Sequence, residues 1–348
     1  MLDLLGSARS TREQELLEHG ASVINAHRYA QSTDRVYYYA FEHFRHWCSA
    51  YDRCPLPAEP ATVFMYLSEI SLSANTFSVI RTHSAAIFAT HTAMGTRPES
   101  SPTRDPSVLA LYTALERQLG TYPVNRKAPF DAAQVRSILH FLCKFTDFGH
   151  VQLAAMLSIA FVGLLRFKDL TLIRPCDVHI APDRSFMTIR LLGRKNDQRR
   201  DGDVCFIPRA DAPHTAICPV DMTRRLLAVA PSPLGPLFRR FQPYHFRVGS
   251  ISSRSDPRTA MVADREQSIR YLRDALQHAL GLSDQQASDY TFHSCRSGGT
   301  TALVASGATT EELQAAGGWR SSTVPYMYAQ RDVGARLALA RTIHNSSH

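Results

Sequence analysis

Residues 121–130, Thr-Tyr-Pro-Val-Asn-Arg-Lys-Ala-Pro-Phe, hold two prolines and none of the three- and four-residue apolar spacing found on either side of them. A stretch of this kind connects folded bodies and belongs to neither. It divides the 348 residues into segments 1–120 and 131–348, each long enough to fold as a domain. Charge divides at the same place. Residues 1–120 contain 10 Arg, no Lys and 12 acidic residues, a balance of −2. Subtracting these from the 39 basic and 31 acidic residues of the whole chain leaves 29 and 19, or +10, for the remainder. A basic second segment suits a polyanion such as DNA.

The first segment reads as a helical bundle. Ser32 and Thr33 are placed to cap a helix in which Val36, Tyr37, Ala40, Phe41, Phe44 and Trp47 recur at helical spacing. Pro60 suits the first turn of a second helix, since its missing N–H is no loss there. A third runs from about Thr76 to Met94 and stops at Gly95, and a fourth opens at Pro106 and closes at Gly120. Beyond the connection, Ser185-Phe-Met-Thr-Ile-Arg-Leu-Leu alternates in the manner of a strand, and turn residues 193–202 separate it from Val204-Cys-Phe-Ile-Pro. The rest is helical in pattern, so the expected fold is mainly α with a small antiparallel β-sheet in the second domain.

Composition narrows the class. Hydrophobic residues at 44% and charged residues at 20% describe an ordinary globular protein. No run approaches the roughly 18 apolar residues of a membrane span, and Met1-Leu-Asp-Leu-Leu-Gly lacks the basic-then-apolar pattern of a secretion signal. The seven cysteines form no Cys-x-x-Cys pair, so reduced thiols are expected, with no disulfide framework and no zinc site. Neither a Gly-x-x-x-x-Gly-Lys loop nor a carboxylate cluster is present, and no cofactor or metal is expected.

The chemistry-bearing residues occur in one order. Arg166 stands in Gly163-Leu-Leu-Arg-Phe-Lys-Asp, with Asp169 one helical turn on. Lys195 follows the first strand in Leu192-Gly-Arg-Lys-Asn. His293 and Arg296 share Thr291-Phe-His-Ser-Cys-Arg-Ser-Gly-Gly, on one face at the start of a helix that stops at Gly307. Thr309-Thr-Glu-Glu312 is a capping box opening a short helix that Gly317 and Gly318 terminate before Trp319. Tyr326 and Tyr328 come next, pointing roughly 160° apart on a helix. Arginine forks hold phosphate oxygens in pairs and remain charged; lysine and histidine move protons; an indole N–H donates; a phenol is a nucleophile once ionised. Donors aimed at charge as it develops are usually the largest catalytic contribution. Each motif alone is weak, but the ordered set points to phosphodiester chemistry.

That set resembles the catalytic residues of the tyrosine recombinase (phage integrase) family, and the Gly317-Gly-Trp variant is most similar to the Cre type. The resemblance covers the chain from about residue 12 to about residue 332. It implies a two-domain DNA clamp: a helical core-binding domain (1–120), a linker (121–130) and a catalytic domain (131–348). It assigns Tyr328, nine residues after Trp319, as nucleophile over Tyr326. Arg166, Arg296, His293 and Trp319 would engage the phosphate, Lys195 would protonate the leaving 5′ oxygen, and Asp169 would support Arg166. Arg126, Lys127, Arg194, Arg199 and Arg200 would contact the DNA backbone, and Arg81, His83 and Arg258 are candidates for reading bases.

The activity implied is site-specific recombination through a 3′-phosphotyrosyl link and a Holliday junction, without ATP or metal. The partner would be double-stranded DNA with inverted-repeat arms around a short spacer, held by a homotetramer, with Leu337 and Leu339 packing on a neighbouring subunit or on their own domain. An intracellular location is expected, in the nucleoid of a prokaryote or the nucleus of a eukaryote. Two other readings stay open: a type IB topoisomerase-like nicking–closing enzyme, and a recombinase-derived DNA-binding protein that no longer cleaves.

Overall fold

Prolines, glycines and short polar side chains set most helix ends in this protein, and the computed structural model shows where each acts. It describes residues 10–120, 127–192, 202–211, 218–229, 235–241, 262–323 and 325. By its internal contacts the chain divides into two compact units, Met1–Asn125 and Arg126–His348.

The first unit is helical: α1 (Thr11–His27), α2 (Gln31–Ala50), α3 (Pro60–Ser73), α4 (Phe77–Ala93) and α5 (Pro106–Leu119). Pro60 and Pro106 occupy first turns, and Asp105 Oδ1 accepts from the Ser107 amide at 2.9 Å to cap α5. Gly95 (φ 98°) and Gly120 (φ 58°) end α4 and α5 with the left-handed backbone that glycine adopts freely. The cap expected at Ser32 and Thr33 is not formed. α2 begins at Gln31, after extended Ala30, whose carbonyl accepts from the Thr33 and Asp34 amides. The bend after α1 therefore sets the start of α2, and no side chain caps it. Phe44, Tyr66, Leu67, Ile80, Ile87 and Val108 form the core. The buried Tyr66 hydroxyl lies between His43 Nδ1 (2.9 Å) and His83 Nδ1 (2.6 Å). Burial, then the neighbouring His43, hold the His83 imidazole below its ordinary range. A ring committed inward in this way is unsuited to the base reading considered for His83. Arg81 is exposed, and Arg258 lies outside the described residues.

In the second unit α6 (Ala132–Leu142) starts at an Asp131–Gln134 capping box, and α7 (Phe148–Val162) starts at Asp147. Every residue of α7 from Gly149 to Ala160 is buried; a helix apolar on all sides is the centre of a core. Around it stand α8 (Phe167–Leu172), α9 (Pro219–Val229), α10 (Arg265–Leu280), α11 (Asp284–Ala287), α12 (Phe292–Ala305) and α13 (Thr310–Gly317). Among the described residues, β1 (Val178–Ile180), β2 (Phe186–Leu191) and β3 (Asp203–Pro208) form one antiparallel sheet in the order β1-β2-β3. Ile189 pairs with Val178 on one side and Cys205 on the other. Met187, Ile189, Leu191 and Ile207 enter the core, which leaves the alternate positions outward. β1 was not apparent from the sequence, since three residues carry no periodicity. The fold is thus mainly α with a small antiparallel sheet, as expected. Among the described residues no helix is long and apolar enough to cross a membrane.

The sheet is tied to the chain before it by Asp177, whose buried carboxylate receives Arg174 Nε at 2.9 Å and Nη2 at 3.0 Å, and Arg190 Nη2 at 3.2 Å. Burial alone would raise this carboxyl, but the hydrogen bonds from Arg174 and Arg190 outweigh it and hold it below the usual carboxylate value. Asp177→Asn should cost about 2 kcal/mol near neutral pH, as hydrogen bonds to a charged partner are lost. Because the carboxyl is depressed in the folded state, its contribution is present at neutral pH and vanishes as pH falls through that lowered value. Thermal unfolding of both forms should therefore differ at pH 7 and converge in acid; equal stability at pH 7 would show that the cluster adds nothing.

Candidate active site

The residues at the end of α7 set up the site. Gly163 closes the helix, and Leu164 then takes a positive φ of 51°, a conformation that costs a branched side chain energy. This turn aims the Leu164 carbonyl at Arg296, whose Nη1 donates to it. Two residues on, Arg166 opens α8. Its backbone N–H donates to Asp169 Oδ2 at 3.0 Å, while its guanidinium Nη1 stands 4.0 Å from the same oxygen. Asp169 thus caps the helix and supplies a neighbouring negative charge. Arg166 keeps a quarter of its side chain exposed, and Nη1 has no hydrogen-bond partner among the described residues.

Thr291 and Ser294 begin α12 as a reciprocal cap: Thr291 Oγ1 accepts from the His293 amide (3.2 Å), and Ser294 Oγ accepts from the Thr291 amide (3.0 Å). Phe292 packs on Phe167 with ring centroids 5.2 Å apart, which brings the residue after Arg166 against the residue before His293. His293 is exposed, whereas every other residue from Thr291 to Thr300 is buried. Spacing of three alone places His293 and Arg296 on one face of the helix. In the structure Arg296, one turn deeper, is fully buried because the chain after α13 covers it.

That cover comes from Gly317 to Trp319. The Thr309–Glu312 capping box starts α13, and Gly318 ends it in the left-handed region. Gly317 presents its carbonyl to Arg296 Nη2 at 2.7 Å. The Trp319 ring then lies over the guanidinium, 4.3 Å from its centroid, a cation–π contact strengthened by burial. The ring also occupies the space where a Gly317 side chain would begin, since a Cβ there would stand 2.0 Å from Cζ3. Three separate sequence motifs meet at Arg296. Two guanidinium groups, an imidazole and an indole are donors of the kind that a phosphate requires.

Lys127, expected on the DNA backbone, donates its ammonium to the Ser288 carbonyl at 2.9 Å. The expected nucleophile Tyr328, its rival Tyr326, the expected acid Lys195 and Arg126, Arg194, Arg199 and Arg200 lie outside the described residues, as do Leu337 and Leu339. Among the described residues no group of three or more His, Cys, Asp or Glu is placed to hold a metal ion. Leu164 and Phe130 were not singled out from sequence. Nothing marks a leucine for a left-handed backbone, while the paired glycines 298 and 299 do signal a close neighbour, though not which one.

No protein-family model matches the chain. A Selenomonas ruminantium protein described as an integrase/recombinase XerD homolog is 28% identical over 213 residues, and the match covers 60% of each chain. The chain therefore spans about 60% of the length of that curated relative. In fold it is similar to the XerH site-specific recombinase bound to palindromic difH substrate in a post-cleavage complex, with a TM-score of 0.56, 11% identity, and coverage of 99% of this chain and 87% of that one. It is also similar to lambda integrase residues 75–356 in a dimer bound to a COC′ core site, with a TM-score of 0.53, 15% identity, and coverage of 90% and 93%. In sequence over 213 residues, and in fold over most of its length, the chain is similar to proteins of the tyrosine recombinase/integrase family.

Proposed function

We propose that this protein is a site-specific DNA recombinase. The observation that carries the proposal is the meeting of Arg296 with the Leu164 carbonyl, two residues before Arg166, and with Gly317 and Trp319. In this reading Arg166 takes the scissile phosphate with its partly exposed side chain, and Arg296 and Trp319 form the floor beneath it. His293, the exposed residue at the otherwise buried start of α12, assists proton transfer. Tyr328 attacks phosphorus and displaces the 5′ oxygen, which Lys195 protonates. The 3′-phosphotyrosyl link conserves the energy of the broken bond. A 5′ hydroxyl from a partner duplex then attacks that link and releases the tyrosine. No ATP or metal enters the balance. Residues 1–120 would serve as the helical core-binding domain, 121–130 as linker and 131–348 as catalytic domain. Inverted-repeat arms on double-stranded DNA would place four copies of the chain on two synapsed sites.

The test uses DNA from the ends of the element or region encoding this protein. Wild type should form a denaturant-resistant protein–DNA adduct on a gel, and Tyr328→Phe should bind the same DNA and form none. An adduct that persists in Tyr328→Phe would move the nucleophile to Tyr326. A mobility shift with no wild-type adduct on the native site would favour the DNA-binding protein that no longer cleaves. Relaxation of supercoils with no exchange between duplexes would favour the topoisomerase reading.

A further inference from the structure

The connection from the first unit enters the second at Lys127–Phe130, and these residues grip the start of α12. Lys127 Nζ donates to the Ser288 carbonyl, and the Ala128 amide donates to the Asp289 carbonyl at 2.8 Å. The Phe130 amide donates to the Ser294 carbonyl at 3.1 Å. Its ring stacks on Tyr290 at 4.8 Å and 14°, and Gln134 Nε2 donates to the Tyr290 hydroxyl at 3.2 Å. The Phe130 carbonyl then sits where a side chain of Gly298 would begin: a Cβ there would be 1.8 Å from it. This segment therefore holds α12 at Ser294 and at Gly298, two residues to either side of Arg296. His293 adjoins the first of these points.

We infer that Lys127 and Phe130 are positioning residues: the end of the interdomain connection sets the placement of His293 and Arg296 by clamping the first turns of α12. The inference rests on the recombinase reading for its consequence in catalysis, but the clamp is a physical contact testable without DNA. A helix held at two points by a neighbouring backbone segment has little freedom to shift. Lys127 matters because its ammonium fixes the outer end of the segment. Spent on a carbonyl of its own unit, that donor acts on protein and not on phosphate.

The experiment uses the full chain as wild type, Lys127→Met and Lys127→Arg. Methionine keeps the aliphatic stem and removes the donor, and arginine restores a donor. Hydrogen exchange of the amides of residues 295–300, read without DNA, should quicken about tenfold in Lys127→Met and recover in Lys127→Arg, in line with the loss of one charge-assisted hydrogen bond. With the native site, the single-turnover rate of adduct formation at saturating DNA should fall by a similar factor, while the salt dependence of binding stays that of wild type. Unchanged exchange in Lys127→Met overturns the inference. So does a salt slope lower by about one at an unchanged cleavage rate, the signature of a plain phosphate contact. Exchange alone decides the clamp if wild type forms no adduct, an outcome that counts against the recombinase reading instead.

Discussion

Arg296→Ala should abolish strand cleavage and also lower the stability of the second unit, by about 3 kcal/mol or more. The Arg296 guanidinium is fully buried and donates to the carbonyls of Leu164 and Gly317 beneath the Trp319 ring. Alanine leaves both carbonyls without this donor, at about 1–3 kcal/mol each, and opens a cavity where the side chain packed. For a unit of this size, 1 kcal/mol corresponds to roughly 2–4 °C, so the unfolding midpoint should drop by roughly 6–12 °C. Arg166→Ala is the contrast. Its Nη1 has no hydrogen-bond partner among the described residues and its side chain is a quarter exposed. It should lose about 10²–10³ in cleavage rate, as for one missing donor at a developing charge, with little change in midpoint. Calorimetry and the adduct assay on both variants separate the two arginines. An Arg296→Ala protein as stable as wild type would mean that this guanidinium does not hold the site together.

Gly298→Ala should disrupt the packing of the second unit. Two effects oppose each other. Alanine is the better helix former by about 1 kcal/mol, which by itself predicts a gain. Yet its Cβ would lie 1.8 Å from the Phe130 carbonyl oxygen and 2.8 Å from the carbonyl carbon. A backbone atom cannot rotate away, so α12 or the Lys127–Phe130 segment must move, and overpacking of this sort costs about 1–3 kcal/mol, more when the obstacle is rigid. Sterics should win, with a net loss of about 2 kcal/mol or more. The same argument holds for Gly299→Ala, whose Cβ would stand 2.3 Å from the Phe161 carbonyl. Urea unfolding followed through the second unit checks both. A raised midpoint in Gly298→Ala would show that Phe130 yields, and that the close approach is no constraint.

Much of the fold was legible because its signals are local. Pro60 and Pro106 open helices, and Gly95, Gly120, Gly307 and Gly318 end them with positive φ. The Thr309–Glu312 box starts α13, and the alternation at 186–191 is strand β2. Where the reading failed, a backbone bend or a tertiary contact had taken over. Ser32 and Thr33 cap nothing because the bend at Ala30 starts α2. His83 turns inward to a buried tyrosine hydroxyl. Lys127 looked like a free cation in a linker, yet its acceptor is 161 residues away.

The sequence by itself determined the order and identity of the candidate catalytic residues, the two-part division of the chain, and the helix boundaries set by proline, glycine and capping side chains. These depend on neighbours within a turn or two, so short-range chemistry settles them. Only the tertiary structure decided that Arg296 is buried and Arg166 partly open, that Leu164 adopts a left-handed backbone to meet a guanidinium 132 residues on, and that Phe130 occupies the space left by Gly298. Those outcomes depend on which distant surfaces pack together, and no local pattern encodes the partner of a buried donor.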